Sequence, residues 1–158
     1  MERVTGKRMT IWPGECHVHA GIRPAHINRM RAERPGAEFL IHPECGCATE
    51  CMEYAAAGDI ARGGVHIFST SGMLDHVRRH AEGEYIVATE TGMLHPMRKA
   101  APGATLTPAN PKAVCKYMKM ITLPKLRDAL RDMRFEVRVP AEIASRARLP
   151  IERMVAIG

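Results

Sequence analysis

Aromatic residues are scarce, with one Trp, three Tyr and three Phe among 158 residues. Stacking platforms for single-stranded nucleic acid are therefore poorly supplied. No run of 18 apolar residues occurs, so no transmembrane helix is expected. The opening Met1-Glu-Arg-Val-Thr-Gly-Lys-Arg8 lacks the apolar stretch of a secretory signal, and a cytoplasmic location follows as the expectation. No block of five like charges is found despite a net charge of +6. Lys and Arg are densest over Arg98–Lys99 and Lys112–Arg138, a spread that solvated helix faces explain. A basic phosphate- or nucleic-acid-binding module would show itself by a steep salt dependence of binding. The dispersed charge argues against it, and neither a nucleic-acid nor a membrane partner is expected. The five cysteines are odd in number and irregular in spacing, which predicts reduced thiols rather than a disulfide framework.

What is present fits one globular domain's worth of chain, 46% hydrophobic and 25% charged. Short apolar runs alternate with helical patterns. Strands are predicted at 9–12, 38–42, 65–68, 85–88 and 105–108, and helices at 24–33, 48–57, 73–81 and 92–100. Strands alternating with helices of this length call for a parallel sheet with right-handed crossovers, an α/β fold. After Cys115 the character changes. A helix capped by Thr122 is expected to about Met133, then an alternating strand at 135–139, then a helix over 141–157 kinked at Pro150.

Polar or Gly-rich groups recur at the strand-to-helix turns, at 13–19, 42–47, 69–72 and 89–92. In a parallel sheet these turns lie at the carboxyl ends of the strands, where ligands bind. His17 and His19, two apart, would point the same way in extended backbone, and His42 and Glu44 share that spacing. A histidine and a carboxylate lining one crevice are the material of general acid–base chemistry. Ser69-Thr-Ser-Gly72 at a helix start offers hydroxyls and free N–H groups to a carboxylate or phosphate, and equally reads as an ordinary N-cap. Thr89-Glu-Thr-Gly92 carries the same ambiguity. Cys45, Cys47 and Cys51 lie close together after His42, but no second ligand pair follows at zinc-site spacing, so they read as core. Cys16 and Cys115 stand in turns and can meet only through the fold.

Trp12-Pro-Gly-Glu-Cys16-His-Val-His19, His42-Pro-Glu-Cys45, Ser69-Thr-Ser-Gly-Met73, Ala88-Thr-Glu-Thr-Gly92 and Ala113-Val-Cys-Lys-Tyr-Met118, in that order, closely resemble the quinolinate synthase family. The likeness continues through Met120-Ile-Thr-Leu-Pro-Lys-Leu126, Val137-Arg-Val-Pro140 and Ile151-Glu-Arg-Met154. The resemblance implies a transferase of NAD biosynthesis. It condenses iminoaspartate with dihydroxyacetone phosphate to quinolinate, and has a functional link to L-aspartate oxidase or aspartate dehydrogenase. It implies a 4Fe-4S cluster held by three cysteines, one iron being left open as a Lewis acid. Cys16 and Cys115 would be two of those ligands, with the third absent from this chain. His19, His42 and Glu44 would serve catalysis and substrate binding, and Ser69, Thr70 and Ser71 the substrate anion. It also implies three-layer α/β/α domains. Residues 1–16 would be the last strand of a truncated preceding domain, 17–115 a complete domain, and 116–158 a C-terminal segment packing on an absent first domain. As a truncated piece, the chain alone is expected to be inactive.

Overall fold

The computed structural model describes residues 6–8, 10, 14–58 and 64–156. Its centre is strand β1 (Glu38–Ile41), in which Phe39, Leu40 and Ile41 are all buried. A strand apolar at every inner position must be covered on both faces, as in parallel sheets. The same holds for β3 (Glu84–Ala88), buried from Tyr85 to Ala88. Shorter strands β2 (Val65–Ile67) and β4 (Thr105–Pro108) form the edges, in the order β2-β1-β3-β4, and every pairing is parallel. Pro108 is tolerated because β4 is an edge strand.

Side chains alternate across the sheet and define two cores. Phe39, Ile41, Ile86 and Ala88 pack with Ile27 and Met30 of helix α2 (Pro24–Glu33) and Cys51 of α3 (Ala48–Ala57). Leu40, Tyr85, Val87 and Leu106 pack on the other face with Met73 and Val77 of α4 (Thr70–Arg79) and Leu94 and Met97 of α5 (Leu94–Ala100). Helices on both faces of a short parallel sheet make three layers, the α/β fold expected. Helix α3 ends where Gly58, at φ 86°, adopts the left-handed backbone that glycine accepts without penalty. Helix α4 starts at Thr70, earlier than the apolar pattern suggests, because the Ser69 hydroxyl accepts the Gly72 N–H at 3.2 Å. A 3-10 turn over Thr91–Met93 leads into α5.

The strand predicted at 9–12 lies largely outside the described residues. That at 135–139 is not formed: Phe135 has φ 65°, incompatible with a strand, and residues 136–140 have no ladder partner. The reading of reduced thiols is also corrected. Cys45 and Cys47 form a disulfide across Gly46, while Cys16, Cys51 and Cys115 are free. The burial expected of Cys45, Cys47 and Cys51 is present.

The chain divides into two compact units, Met1–Cys115 and Lys116–Gly158. The second contains α6 (Leu123–Asp132), N-capped by Thr122 as expected, and α7 (Ala141–Val155), with Pro150 inside it. Neither helix has a buried residue.

Candidate active site

Beyond the carboxyl ends of β1 and β3, the chain turns through residues that hold one histidine from several sides. His19 is in α1 (His17–Ala20), a single helical turn, so the expectation of extended backbone here is corrected. Successive residues on a helix diverge by about 100°. His17 is consequently exposed, and His19 is buried at 8% exposure. The loop after β1 packs on this turn, with the Gly46 N–H donating to the His19 carbonyl at 3.3 Å. That docking brings His42 and Glu44 to His19.

His19 Nδ1 lies 3.2 Å from Glu44 Oε2, and its Nε2 lies 3.0 Å from Thr89 Oγ1. Each ring nitrogen thus has one protein partner, the Glu44 carboxylate at Nδ1 and the Thr89 hydroxyl at Nε2. His42 stacks parallel on His19 with centroids 4.2 Å apart. Its Nδ1 accepts the Glu44 backbone N–H at 3.3 Å. Burial, and then the proximity of His19, depress the His42 pKa below the usual 6.5, against a partial counter-effect from Glu44. His42 is therefore neutral at pH 7, with its proton on Nε2. The Glu44 side chain is 63% exposed and faces the opening.

Cys16 immediately precedes α1. It lines an open cavity of about 570 Å³ with Gly14, Glu15 and Glu44, ample for a small substrate. Ligand atoms of Cys16, His19 and Glu44 lie within 4.8 Å of one another, a group able to hold a metal ion. Cys115 is held by a different device: its N–H donates to Glu90 Oε1 at 3.2 Å, and the Gly92 N–H donates to Glu90 Oε2 at 2.7 Å. The Thr91 N–H donates to the Ala113 carbonyl, and the Asn110 amide to the Gly21 carbonyl at 3.2 Å. The segment leading to Cys115 is thus tied both to the turn after β3 and to the end of α1. Cys16 and Cys115, each half-buried, pack against the same core cluster.

Thr89 and Glu90 resolve the ambiguity of their motif. Thr89, 2% exposed, orients His19, and Glu90 anchors Cys115. Their position after a predicted strand was visible in the sequence, but their partners were not. Ser69, Thr70 and Ser71 stand exposed beyond β2, the neighbouring strand, on the same rim of the sheet. Ser69 is engaged as the α4 cap, and among the described residues no hydrogen bond joins the three to the histidines. Cys51 belongs to the core, where burial and then Glu50 push its thiol up to about 12.

The profile of the family described as Quinolinate synthetase A protein matches residues 1–156. The chain belongs to this family. Among curated relatives, a quinolinate synthase of Thermus thermophilus is 48% identical over 156 residues, which is 99% of this chain and 48% of the relative. The quinolinate synthase of Mycobacterium sp. (strain KMS) is 45% identical, covering all of this chain and 47% of the relative. One from Mycobacterium tuberculosis is 43% identical, again over all of this chain, with 46% of its own length covered. The chain spans about half the length of the quinolinate synthases it matches. No helix among the described residues is long and apolar enough to cross a membrane.

Proposed function

We propose that this chain carries part of the active site of a quinolinate synthase, which condenses iminoaspartate with dihydroxyacetone phosphate in NAD biosynthesis. The observation that carries the reading is the convergence on His19 of His42, Glu44 and Thr89 beside a free cysteine. Imine formation, enolisation and loss of water all move protons, and imidazoles beside a carboxylate suit that work. His42 offers its Nε2 proton to a leaving oxygen. Glu44, at the opening, takes a proton from the substrate carbon, its carboxylate held by the hydrogen bond with His19 Nδ1. The Thr89 hydroxyl holds the His19 ring in place beside Glu44. Ser69, Thr70 and Ser71 bind a substrate phosphate or carboxylate at the start of α4, where unpaired N–H groups favour anions.

The family's 4Fe-4S cluster fits this donor set in part. Cys16 and Cys115 are free and half-buried, whereas Cys45 and Cys47 are bonded to each other and Cys51 is buried with a thiol raised to about 12. Two ligands would come from this chain and a third from outside it. When bound, such a cluster supplies a Lewis-acidic iron. A catalytically inactive iron–sulfur or phosphate-binding fragment is the second reading for the isolated chain, favoured by that shortage of thiolates. Residues 116–158 would pack on another domain of the family's fold.

The test is a chimera in which this chain replaces the matching half of the Thermus thermophilus relative, reconstituted anaerobically with iron and sulfide. Quinolinate should form, and Cys16→Ala or Cys115→Ala should abolish stoichiometric iron while Cys47→Ala retains it. Iron lost from Cys47→Ala but kept by Cys16→Ala would reverse the ligand assignment. The isolated chain should make no quinolinate.

A further inference from the structure

A second convergence of ligating side chains lies at the opposite end of β1. Glu38 is the first residue of that strand, and His42 follows its last. Four residues of extended chain separate the two by about 13 Å. In the parallel register Leu40 faces His66 of β2, so Glu38 and His66 project from the same face of the sheet, the one that α4 covers. His76 of α4 comes down onto them. Both imidazole Nε2 atoms lie 2.9 Å from one oxygen, Glu38 Oε2. One ligand atom from each residue falls within 4.8 Å of the others.

We propose that Glu38, His66 and His76 form a binding site for a divalent transition metal of the zinc class, clamping edge strand β2 to β1 and α4. Two imidazoles and a carboxylate with an open fourth position are a recurrent zinc donor set. Nitrogen donors select zinc, cobalt, nickel or copper over magnesium and calcium. A tetrahedral ion with bonds of about 2.0–2.1 Å holds its ligand atoms about 3.3 Å apart. From 2.9 Å, each nitrogen–oxygen pair needs to open by only about half an ångström, within rotamer adjustment.

The surroundings suit a metal. Phe68 stacks on His66 at 5.4 Å and Tyr85 meets His76 edge-on at 5.8 Å, an apolar collar on an otherwise polar cluster. His80 Nδ1 is engaged with the His76 carbonyl at 3.0 Å. The exposed sides of Glu38 and His66 leave the fourth position to water. Strand β2 has only three residues and one neighbour in the sheet, so a metal bond through His66 would secure an element that few ladder bonds hold.

The full chain, freed of metal and carrying Cys16→Ser and Glu44→Gln to silence the other donor group, would be titrated with Co2+. Ligand-field absorption is the readout, and thermal unfolding would be followed with and without Zn2+. One equivalent of Co2+ should bind with the intense absorption of a four-coordinate site, and Zn2+ should raise the unfolding temperature. His66→Ala and the isosteric Glu38→Gln should each weaken binding about tenfold or more. Circular dichroism would establish that each variant is folded. No Co2+ binding in the parent, or equal affinity in folded His66→Ala, overturns the proposal. A purely hydrogen-bonded Glu–His network would lose stability in Glu38→Gln while showing no response to Zn2+, and that result would overturn it too.

Discussion

His19 is a buried imidazole with both ring nitrogens engaged, and its worth to the structure can be measured through Thr89. Thr89→Val keeps the shape and removes the hydroxyl, leaving Nε2 without its partner inside the protein. The chain should lose about 1–3 kcal/mol in urea denaturation, and Thr89→Ser should restore most of it. His42 gives a pH dependence of known sign. Its folded pKa lies below the unfolded value of 6.5, so the unfolded chain takes up the proton first. The contribution of His42 is present above pH 6.5 and is lost as pH falls through its lower folded pKa. His42→Asn should flatten the acid limb of a stability–pH curve over that window. Cys51 has the opposite sense: raised from 9.0 to about 12, it supports folding below pH 9 and ceases to do so as pH climbs through 12. At about pH 8, iodoacetamide followed by mass spectrometry should label Cys16 and Cys115 and spare Cys51. His19, His42 and Glu44 were legible in the sequence because each follows a strand signal and carries proton chemistry. Thr89 was not, since its role depends on α1 folding back over the end of β3. The Cys45–Cys47 bond was hidden for a related reason. Counting thiols says nothing of a turn that brings two of them together across one glycine.

At the scale of elements, local signals were read most faithfully where a cap or breaker coincides with a buried face. Helices α2 and α3 match their expected spans because Pro24 opens one and Gly58 closes the other. Helix α4 shows what apolar spacing alone misses, since its first turn is set by the Ser69 cap before any residue is buried. Ser69→Ala should cost about 1 kcal/mol, read as a lower urea midpoint with unchanged slope. The alternating Phe-Glu-Val-Arg-Val of 135–139 failed as a strand prediction because alternation describes a surface, and a strand also needs a neighbour to bond. Pro150 sits inside α7, where it removes a backbone hydrogen bond. Pro150→Ala should raise the far-ultraviolet helical signal of the 116–158 unit.

For the molecule as a whole, the two units differ in what holds them. The first encloses two apolar cores, whereas α6 and α7 have no buried residue and their unit exposes Leu123, Leu130 and Val137 at 75–87%. Short helices without packing are marginal in water. Hydrogen exchange should therefore be fast throughout α6 and α7 and slow in β1 and β3, and protection of the second unit comparable to the first would contradict this account. Exposed apolar side chains on this scale also favour association, so sedimentation of the isolated chain should be concentration-dependent.

The strand order has a consequence of its own. From β1 the chain steps outward to β2, then returns past β1 to lay down β3 and moves outward again to β4. The direction of travel reverses between β1 and β3, so the connections leaving these two strands diverge to opposite sides. A cleft opens at that topological switch point whatever side chains line it. His42 and Thr89 flank it because the winding of the sheet leaves room there, and His19 is seated between them. The residues around the cleft can thus change over evolutionary time without disturbing the layers beneath. The winding fixes where chemistry can occur, and the loops decide which chemistry it is.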